Sequence, residues 1–268
     1  MNRVKIPILL SVFAVFSILI VSSCCKDVDD DDPIVPSGKL QIKFHFLENG
    51  IPVAFDSVWY TNQAGNPYLI TEIKYFLSRV KLYNHSGSTK EINEYKFSHY
   101  VDNTIPTTLT WDVYDKIPVG NYDSLGFTFG FNQADNVSFI FINPPENAME
   151  WPEPLGGGYH YMMLNGYYKN QSSQISSMNF HLGIGQTYDT SGNVTSFIHN
   201  NFYVSVPVST FKIEDGKTTT IHLNMNVEEW FKNPSIFDFN VFGGSIMQNQ
   251  DAMHTAALNG TDVFSFGE

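Results

Sequence analysis

Alternating apolar and polar residues recur along most of this chain. The first run puts four apolar side chains on one face, namely Leu40, Ile42, Phe44 and Phe46. Runs of the same period lie around Phe127, Phe180, Val206 and Leu223. A period of two predicts half-buried strands, and Asn49-Gly50 is a hairpin turn signal. Because no strand–helix alternation and no Pro/Gly linker appears after residue 38, we predict one all-β domain over residues 39–268, an antiparallel β-sandwich.

Residues 149–164 depart from this simple alternation. Trp151 lies beside Pro152 and Pro154, and Gly156-Gly157-Gly158 follow. Proline cannot donate to a strand ladder, and consecutive glycines permit backbone conformations that other residues avoid. Alternation resumes over residues 159–164. We therefore predict a constrained loop that carries a large aromatic side chain into a strand. Two roles fit the tryptophan: a plug at one end of the sandwich, or part of a ligand site.

The N-terminus predicts a lipoprotein signal peptide over residues 1–23. Arg3 and Lys5 precede an apolar stretch, and Val21-Ser22-Ser23-Cys24 resembles a lipobox. We predict acylation of Cys24 and an acidic linker over residues 24–38, so that only a lipid anchor contacts the membrane. The acidic run of residues 26–32 (KDVDDDD) resembles the export signal of surface lipoproteins. An outer-membrane location follows, on either the periplasmic face or the cell surface.

Composition and charge exclude several classes of partner and site. The chain has 15 basic and 27 acidic residues, a net charge of −12, which argues against a nucleic-acid partner. Its only two cysteines are Cys24 and Cys25, so the predicted domain has neither a disulfide nor a thiolate metal site. The sequence also lacks the common hydrolase, zinc-protease and phosphate-loop motifs, and we predict that the protein is not an enzyme.

Four blocks, in this order, resemble the copper-binding MbnP-like family. They are residues 72–82 (EIKYFLSRVKL), residues 117–131 with Ile117-Pro118-Val119-Gly120-Asn121-Tyr122 at their start, residues 149–164, and residues 179–183 (NFHLG). The resemblance implies an exported β-sandwich. It also implies that copper is held by histidines together with a tryptophan that a partner di-haem peroxidase oxidises to kynurenine. By position in these blocks, Trp151 and His181 are the implied copper-site residues, and His45 matches a position near the family's first strand.

Strand parity adds to this resemblance. His45 and His181 both alternate with the apolar residues of their strands, so both lie on non-core faces. Imidazole suits copper, and a domain without cysteine must use such ligands. We therefore predict one copper site formed by His45, His181 and Trp151 or its kynurenine product. His160 and Met149 are further candidate ligands.

A surface carbohydrate-binding or adhesive module without metal is the alternative function. An exposed tryptophan and exposed tyrosines would stack on sugar rings, and a lipid-anchored surface protein is well placed to hold glycans. A titration with Cu(I) beside a glycan array would distinguish the two functions.

Overall fold

The structure is a computed structural model that describes residues 35–94 and 96–267, except for the side chains of residues 208 and 209. The predicted signal peptide, Cys24 and most of the predicted linker lie outside the described residues. No helix among the described residues is long and apolar enough to span a membrane.

Strands dominate the described chain. In chain order they are β1 Ser37–Glu48, β2 Ile51–Pro52, β3 Tyr60–Thr61, β4 Pro67–Asn84, β5 Thr89–Glu91, β6 Ser98–Asp102, β7 Thr110–Asp112, β8 Ile117–Pro118, β9 Gly120–Phe129, β10 Met162–Lys169, β11 Ile175–Leu182, β12 Ile184–Tyr188, β13 Val194–His199, β14 Phe202–Ile213, β15 Thr218–Asn226 and β16 Phe264–Gly267. The α-helices are α1 Phe239–Phe242 and α2 Gln250–Asn259. The 3-10 helices are Pro106–Leu109, Glu146–Met149, Glu153–Leu155, Val227–Phe231 and Gly260–Asp262.

Two large sheets form the sandwich within the described residues. The larger has eight strands along the order β11-β10-β4-β9-β14, with β3, β5 and β6 also paired to β4. The smaller has six, along the order β16-β15-β1-β2, with β7 and β8 also paired to β1. Strands β12 and β13 make a separate hairpin. The predicted all-β sandwich is confirmed; its ladders are antiparallel except that β1 pairs with β15 in parallel.

The core lies between the two large sheets. Phe44 and Phe46 of β1 meet Tyr75 of β4 edge to face, at ring-centroid distances of 6.5 and 6.3 Å. Tyr75 in turn stacks on Phe129 of β9 at 5.7 Å. The alternation of β1 therefore has the predicted orientation: its phenylalanines are buried in the core, and His45 lies on the exposed face of the sheet.

The same parity holds on the larger sheet. Tyr75, Met162 and Leu182 are direct partners across β4, β10 and β11, so they share the core face. His181 precedes Leu182 and consequently lies on the outer face of this sheet. That outer face is covered by the loop that follows β9, and the candidate site forms beneath it.

Candidate functional site

The loop that carries Trp151 is folded back on itself by its glycines and prolines. Gly156, Gly157 and Gly158 have φ values of 118°, 65° and 77°, which disfavour any other residue. The resulting turn lets the Trp151 N–H donate to the Gly158 carbonyl at 2.8 Å and the His160 N–H donate to the Met149 carbonyl at 2.7 Å. The predicted constrained loop is present, but β10 begins only at Met162, after the loop has closed.

A second loop fixes this turn from outside. Ser138 Oγ accepts from the Gly158 N–H at 2.7 Å, and Asn136 Oδ1 accepts from the Tyr159 N–H at 2.9 Å. Asp135, next to Asn136, is bound by the Arg79 guanidinium, whose Nε donates to Asp135 Oδ2 at 2.7 Å. The position of the tryptophan loop is thus tied to the central strand β4.

The Trp151 indole is packed against protein on all sides and is only 2% exposed. Its Nε1–H donates to the Leu155 carbonyl at 3.1 Å. A Cβ added to Gly183 would lie 2.5 Å from Trp151 Cε3, so the indole rests directly on the glycine backbone. Gly183 is the final residue of the NFHLG block, and this contact explains why the block ends in glycine. A buried indole also offers no face to a sugar ring.

His160 lies against the indole. The two ring centroids are 4.6 Å apart and the planes are inclined by 70°. The imidazole is 8% exposed, and its Nδ1 donates to the Met149 carbonyl at 3.1 Å. Strand alternation alone would predict an exposed His160, because this residue lies just before β10 on the outer face of the sheet. It is buried because the tryptophan loop covers that face.

His181 completes the cluster. Its ring centroid is 5.3 Å from that of His160, with the planes inclined by 85°. Its Nε2–H donates to Asn165 Oδ1 at 2.7 Å, and Asn165 Nδ2 donates to Glu72 Oε2 at 2.9 Å. Glu72 also pairs with Lys74 at 2.7 Å. This chain fixes the Asn165 amide orientation and with it the proton position on His181.

Both imidazoles are neutral at physiological pH. Burial, followed by the neighbouring His160, lowers the pKa of His181 to about 4. Burial also lowers the pKa of His160, against two backbone hydrogen bonds that favour protonation. Each neutral ring donates its single N–H to a carbonyl oxygen. The second ring nitrogen, which is Nε2 in His160 and Nδ1 in His181, therefore carries a lone pair. The direct hydrogen bonds of the two rings are made by Nδ1 of His160 and Nε2 of His181, and the Glu150 backbone also acts on His160.

This donor set fits a copper ion in its chemistry. Metal-binding histidines characteristically donate their second ring N–H to a carbonyl or carboxylate, as both rings do here. Two imidazoles are not a complete set, however. Among residues 35–94 and 96–267, no group of three or more His, Cys, Asp and Glu side chains could hold a metal ion. A further ligand would have to come from Trp151 or a thioether.

Two methionines flank the cluster differently. Met149 is fully buried, and it is its backbone carbonyl that meets His160. Met163 is the direct cross-strand partner of His181, on the same outer face. Sequence reasoning did not single out Met163, although the alternation of residues 159–164 with the parity of His181 would have placed both on one face.

The predicted site that joins His45 to His181 and Trp151 requires a correction. His45 lies on the outer face of the smaller sheet, where its Nε2 is 2.8 Å from Nδ1 of His222. His181 lies on the outer face of the larger sheet, so the whole core separates the two histidines. Stacked sheets are about 10 Å apart, whereas metal–imidazole bonds are roughly 2 Å long. His160, a secondary candidate from sequence, takes the place next to Trp151 and His181 that His45 was expected to take.

Comparisons with known proteins agree with this architecture. The MbnP family model matches residues 37–248. Among solved structures, MbnP from Methylosinus trichosporium matches with a TM-score of 0.50 and 14% sequence identity, over 76% of this chain and 80% of that chain. At that identity the likeness concerns the fold alone. No curated protein sequence matches the chain.

Proposed function

Because this chain belongs to the MbnP family, we propose that it is a copper-binding protein whose site is formed by His160, His181 and Trp151. The observation that carries the proposal is the pair of neutral imidazoles with adjacent rings, His160 buried and His181 half-buried, each held by a hydrogen bond through one ring nitrogen. Both imidazoles are unprotonated at neutral pH, so a metal ion need not displace a proton. The hydrogen bonds to Met149 and Asn165 hold each ring in one orientation. Copper, which favours imidazole nitrogen, would bind the lone pair on the second nitrogen of each ring.

Trp151 supplies the third position in this proposal only after modification. An indole Nε1–H is a donor without an available lone pair, and here it is engaged with the Leu155 carbonyl. Insertion of two oxygen atoms across the pyrrole C2–C3 bond, supplied by a peroxide that is reduced to water, would give N-formylkynurenine. Hydrolysis of the formyl group by water would then release C2 as formate and leave kynurenine. The freed aromatic amine could then bind copper beside His160. We propose a di-haem peroxidase as the partner that performs this oxidation, as the family resemblance implies.

The proposed setting is the cell envelope. Acylation of Cys24 would hold the domain at the outer membrane, on its periplasmic face or at the cell surface, and contact with the membrane would be through the lipid alone. We propose a binding role rather than catalysis, in which His160, buried beneath the tryptophan loop, and the half-buried His181 beside it hold a metal ion.

Competitive titration with Cu(I) tests the proposal. Protein expressed in its natural host should bind one copper ion, and mass spectrometry should find the Trp151 peptide about 4 Da heavier, the balance of one carbon lost and one oxygen gained. His160→Ala and His181→Ala should each abolish tight binding. His45→Ala is the matched control, an outward histidine on the other sheet, and should bind copper as the wild type does. Tight binding that survives His181→Ala, or that is lost with His45→Ala, would disprove the proposed site.

A further inference from the structure

The block of residues 72–82 contains none of the proposed copper ligands, yet its backbone is unusual at Arg79. The pairing of β4 with β9 shifts register between Ser78 and Lys81, so β4 carries a bulge there. Arg79, within the bulge, has a φ of 53°, in the left-handed region that non-glycine residues seldom adopt. Bulges re-aim side chains, and strained residues often mark functional sites. Here the bulge turns Arg79 outward between two buried neighbours, Ser78 and Val80.

The Arg79 guanidinium makes a two-point contact with the carboxylate of Asp135. Nε donates to Oδ2 at 2.7 Å, and Nη2 donates to Oδ1. Asn132 Nδ2 also donates to Asp135 Oδ2, at 2.7 Å, and Cζ of Arg79 lies 5.4 Å from the ring centroid of Phe97. The hydrogen bonds from Arg79 hold the pKa of Asp135 below its usual value, so the pair stays charged at neutral pH. A two-point pair fixes orientation as well as distance.

Asp135 lies in the loop that follows β9, and we call residues 132–145 of that loop the cover loop. Asp135 is the only charged residue in this stretch (NQADNVSFIFINPP), so its pair with β4 is the only salt bridge that the cover loop can make. Apolar packing holds the first half of the cover loop weakly, because Val137 and Phe139 are both more than half exposed. Phe141, in the second half, packs against the core. The first half therefore depends on Asp135 for its attachment to β4.

The cover loop in turn holds the tryptophan loop. Two of its side chains accept from backbone N–H groups there, in the pairs Asn136–Tyr159 and Ser138–Gly158. The Gly158 carbonyl accepts from the Trp151 N–H, and Tyr159 directly precedes His160. The indole and the His160 imidazole are 4.6 Å apart between ring centroids. Their relative position therefore depends on where the cover loop holds residues 158 and 159.

We propose that Arg79 is a positioning residue for the tryptophan loop. By binding Asp135 it holds the cover loop against residues 158–160 and so fixes the Trp151 indole beside His160. Arg79 acts through Asp135 and is not itself a metal ligand. The consequence for copper rests on the function proposed above, whereas the consequence for the position of the loop does not.

Amide hydrogen exchange of the copper-free full chain tests the positioning role independently of copper. Asp135→Asn keeps the shape of the side chain but removes the charge that binds Arg79. Exchange at residues 158–160 should become at least about tenfold faster, because their N–H groups are protected by the two loops. Exchange in β4 and β9 should stay as in the wild type, since the sheet itself does not depend on this pair.

Glu91→Gln is the matched control. Glu91 is the other acidic partner of Arg79, at 3.5 Å, and it lies in β5, outside the cover loop. Its replacement should leave exchange at residues 158–160 unchanged. Unchanged exchange at these residues in Asp135→Asn would overturn the proposal. An equal acceleration throughout β4 and β9 would also overturn it, because the pair would then stabilise the whole sheet rather than position one loop.

Competitive Cu(I) titration of protein from the natural host tests the consequence for the metal site. Arg79→Met and Asp135→Asn should each weaken copper binding by about tenfold, and the double variant should bind no more weakly than either, because the two residues act as one unit. Arg79→Lys retains the charge without the two-point contact and should recover part of the affinity. Additive losses in the double variant, or an equal loss with Glu91→Gln, would contradict the link through Asp135. If the wild type binds no copper, the proposed function is wrong, and exchange at residues 158–160 still decides the role of Arg79.

Discussion

Replacement of Gly183 by alanine should disturb the packing of the Trp151 indole. The new Cβ would lie 2.5 Å from Cε3, 2.6 Å from Cζ3 and 2.9 Å from Cδ2 of Trp151. Favourable carbon–carbon contacts begin near 3.5 Å, so the indole or the strand must move by about 1 Å. The indole cannot simply slide, because its Nε1–H is bonded to Leu155 and its backbone N–H to Gly158.

The expected cost follows from this overlap. Overpacking of this kind destabilises proteins by about 1–3 kcal/mol. For a domain of this size that corresponds to a fall in melting temperature of about 2 to 12 °C. Urea unfolding of the metal-free protein, followed by circular dichroism, measures the free energy of unfolding without relying on tryptophan fluorescence.

A double-mutant cycle isolates the contact itself. Trp151→Ala removes the indole and leaves a cavity, into which the methyl group of Gly183→Ala fits without strain. In that background Gly183→Ala should cost close to nothing, so the coupling energy should be about 1–3 kcal/mol. Two results would show that the indole does not pack tightly on Gly183. One is an equal loss of unfolding free energy from Gly183→Ala with and without Trp151. The other is a loss of less than about 0.5 kcal/mol in the wild type, the usual range of a surface substitution.

Three further outcomes are expected. Asn165→Leu removes the acceptor that orients His181 and should weaken copper binding by about 10–100-fold without unfolding the domain; unchanged affinity would contradict the role of Asn165. His99, in β6, stacks on Trp111, and burial lowers its folded-state pKa, like that of His181, to about 4. The stability that depends on these neutral rings should therefore be complete above pH 6.5 and fall by on the order of 3 kcal/mol per histidine as the pH drops towards 4. His99→Gln should reduce this pH dependence in acid unfolding curves. Cys24→Ala should release the protein from the membrane fraction, and persistent acylation would exclude Cys24 as the lipid site.

Much of the fold could be predicted from local pattern. The period-two alternation around Phe44, Phe180 and Leu223 gave the strands and their core faces, because side-chain parity is a property of each strand alone. The outward orientation of His45 and His181 was correct for the same reason. Helix α2, in contrast, had no clear sequence signal: its polar and small residues do not form a strong apolar stripe.

The membership of the site depended on long-range pairing that local pattern does not specify. His45 meets His222 because β1 pairs in parallel with β15, although the two strands are far apart in sequence. Parity placed His45 and His181 outside their sheets without saying which sheet each belonged to. Strand parity does not predict the burial of His160, because that burial comes from the tryptophan loop folded over it. The prolines and glycines before His160 predict a constrained loop but do not indicate which face it covers.

The central claim is that copper lies between His160 and His181, next to the side chain derived from Trp151. Anomalous X-ray diffraction at the copper edge, from crystals of the copper-loaded protein isolated from its natural host, tests it most directly. A single strong copper peak is expected within bonding distance, roughly 2 Å, of Nε2 of His160 and Nδ1 of His181. A peak at the His45–His222 pair, with none beneath the tryptophan loop, would contradict it.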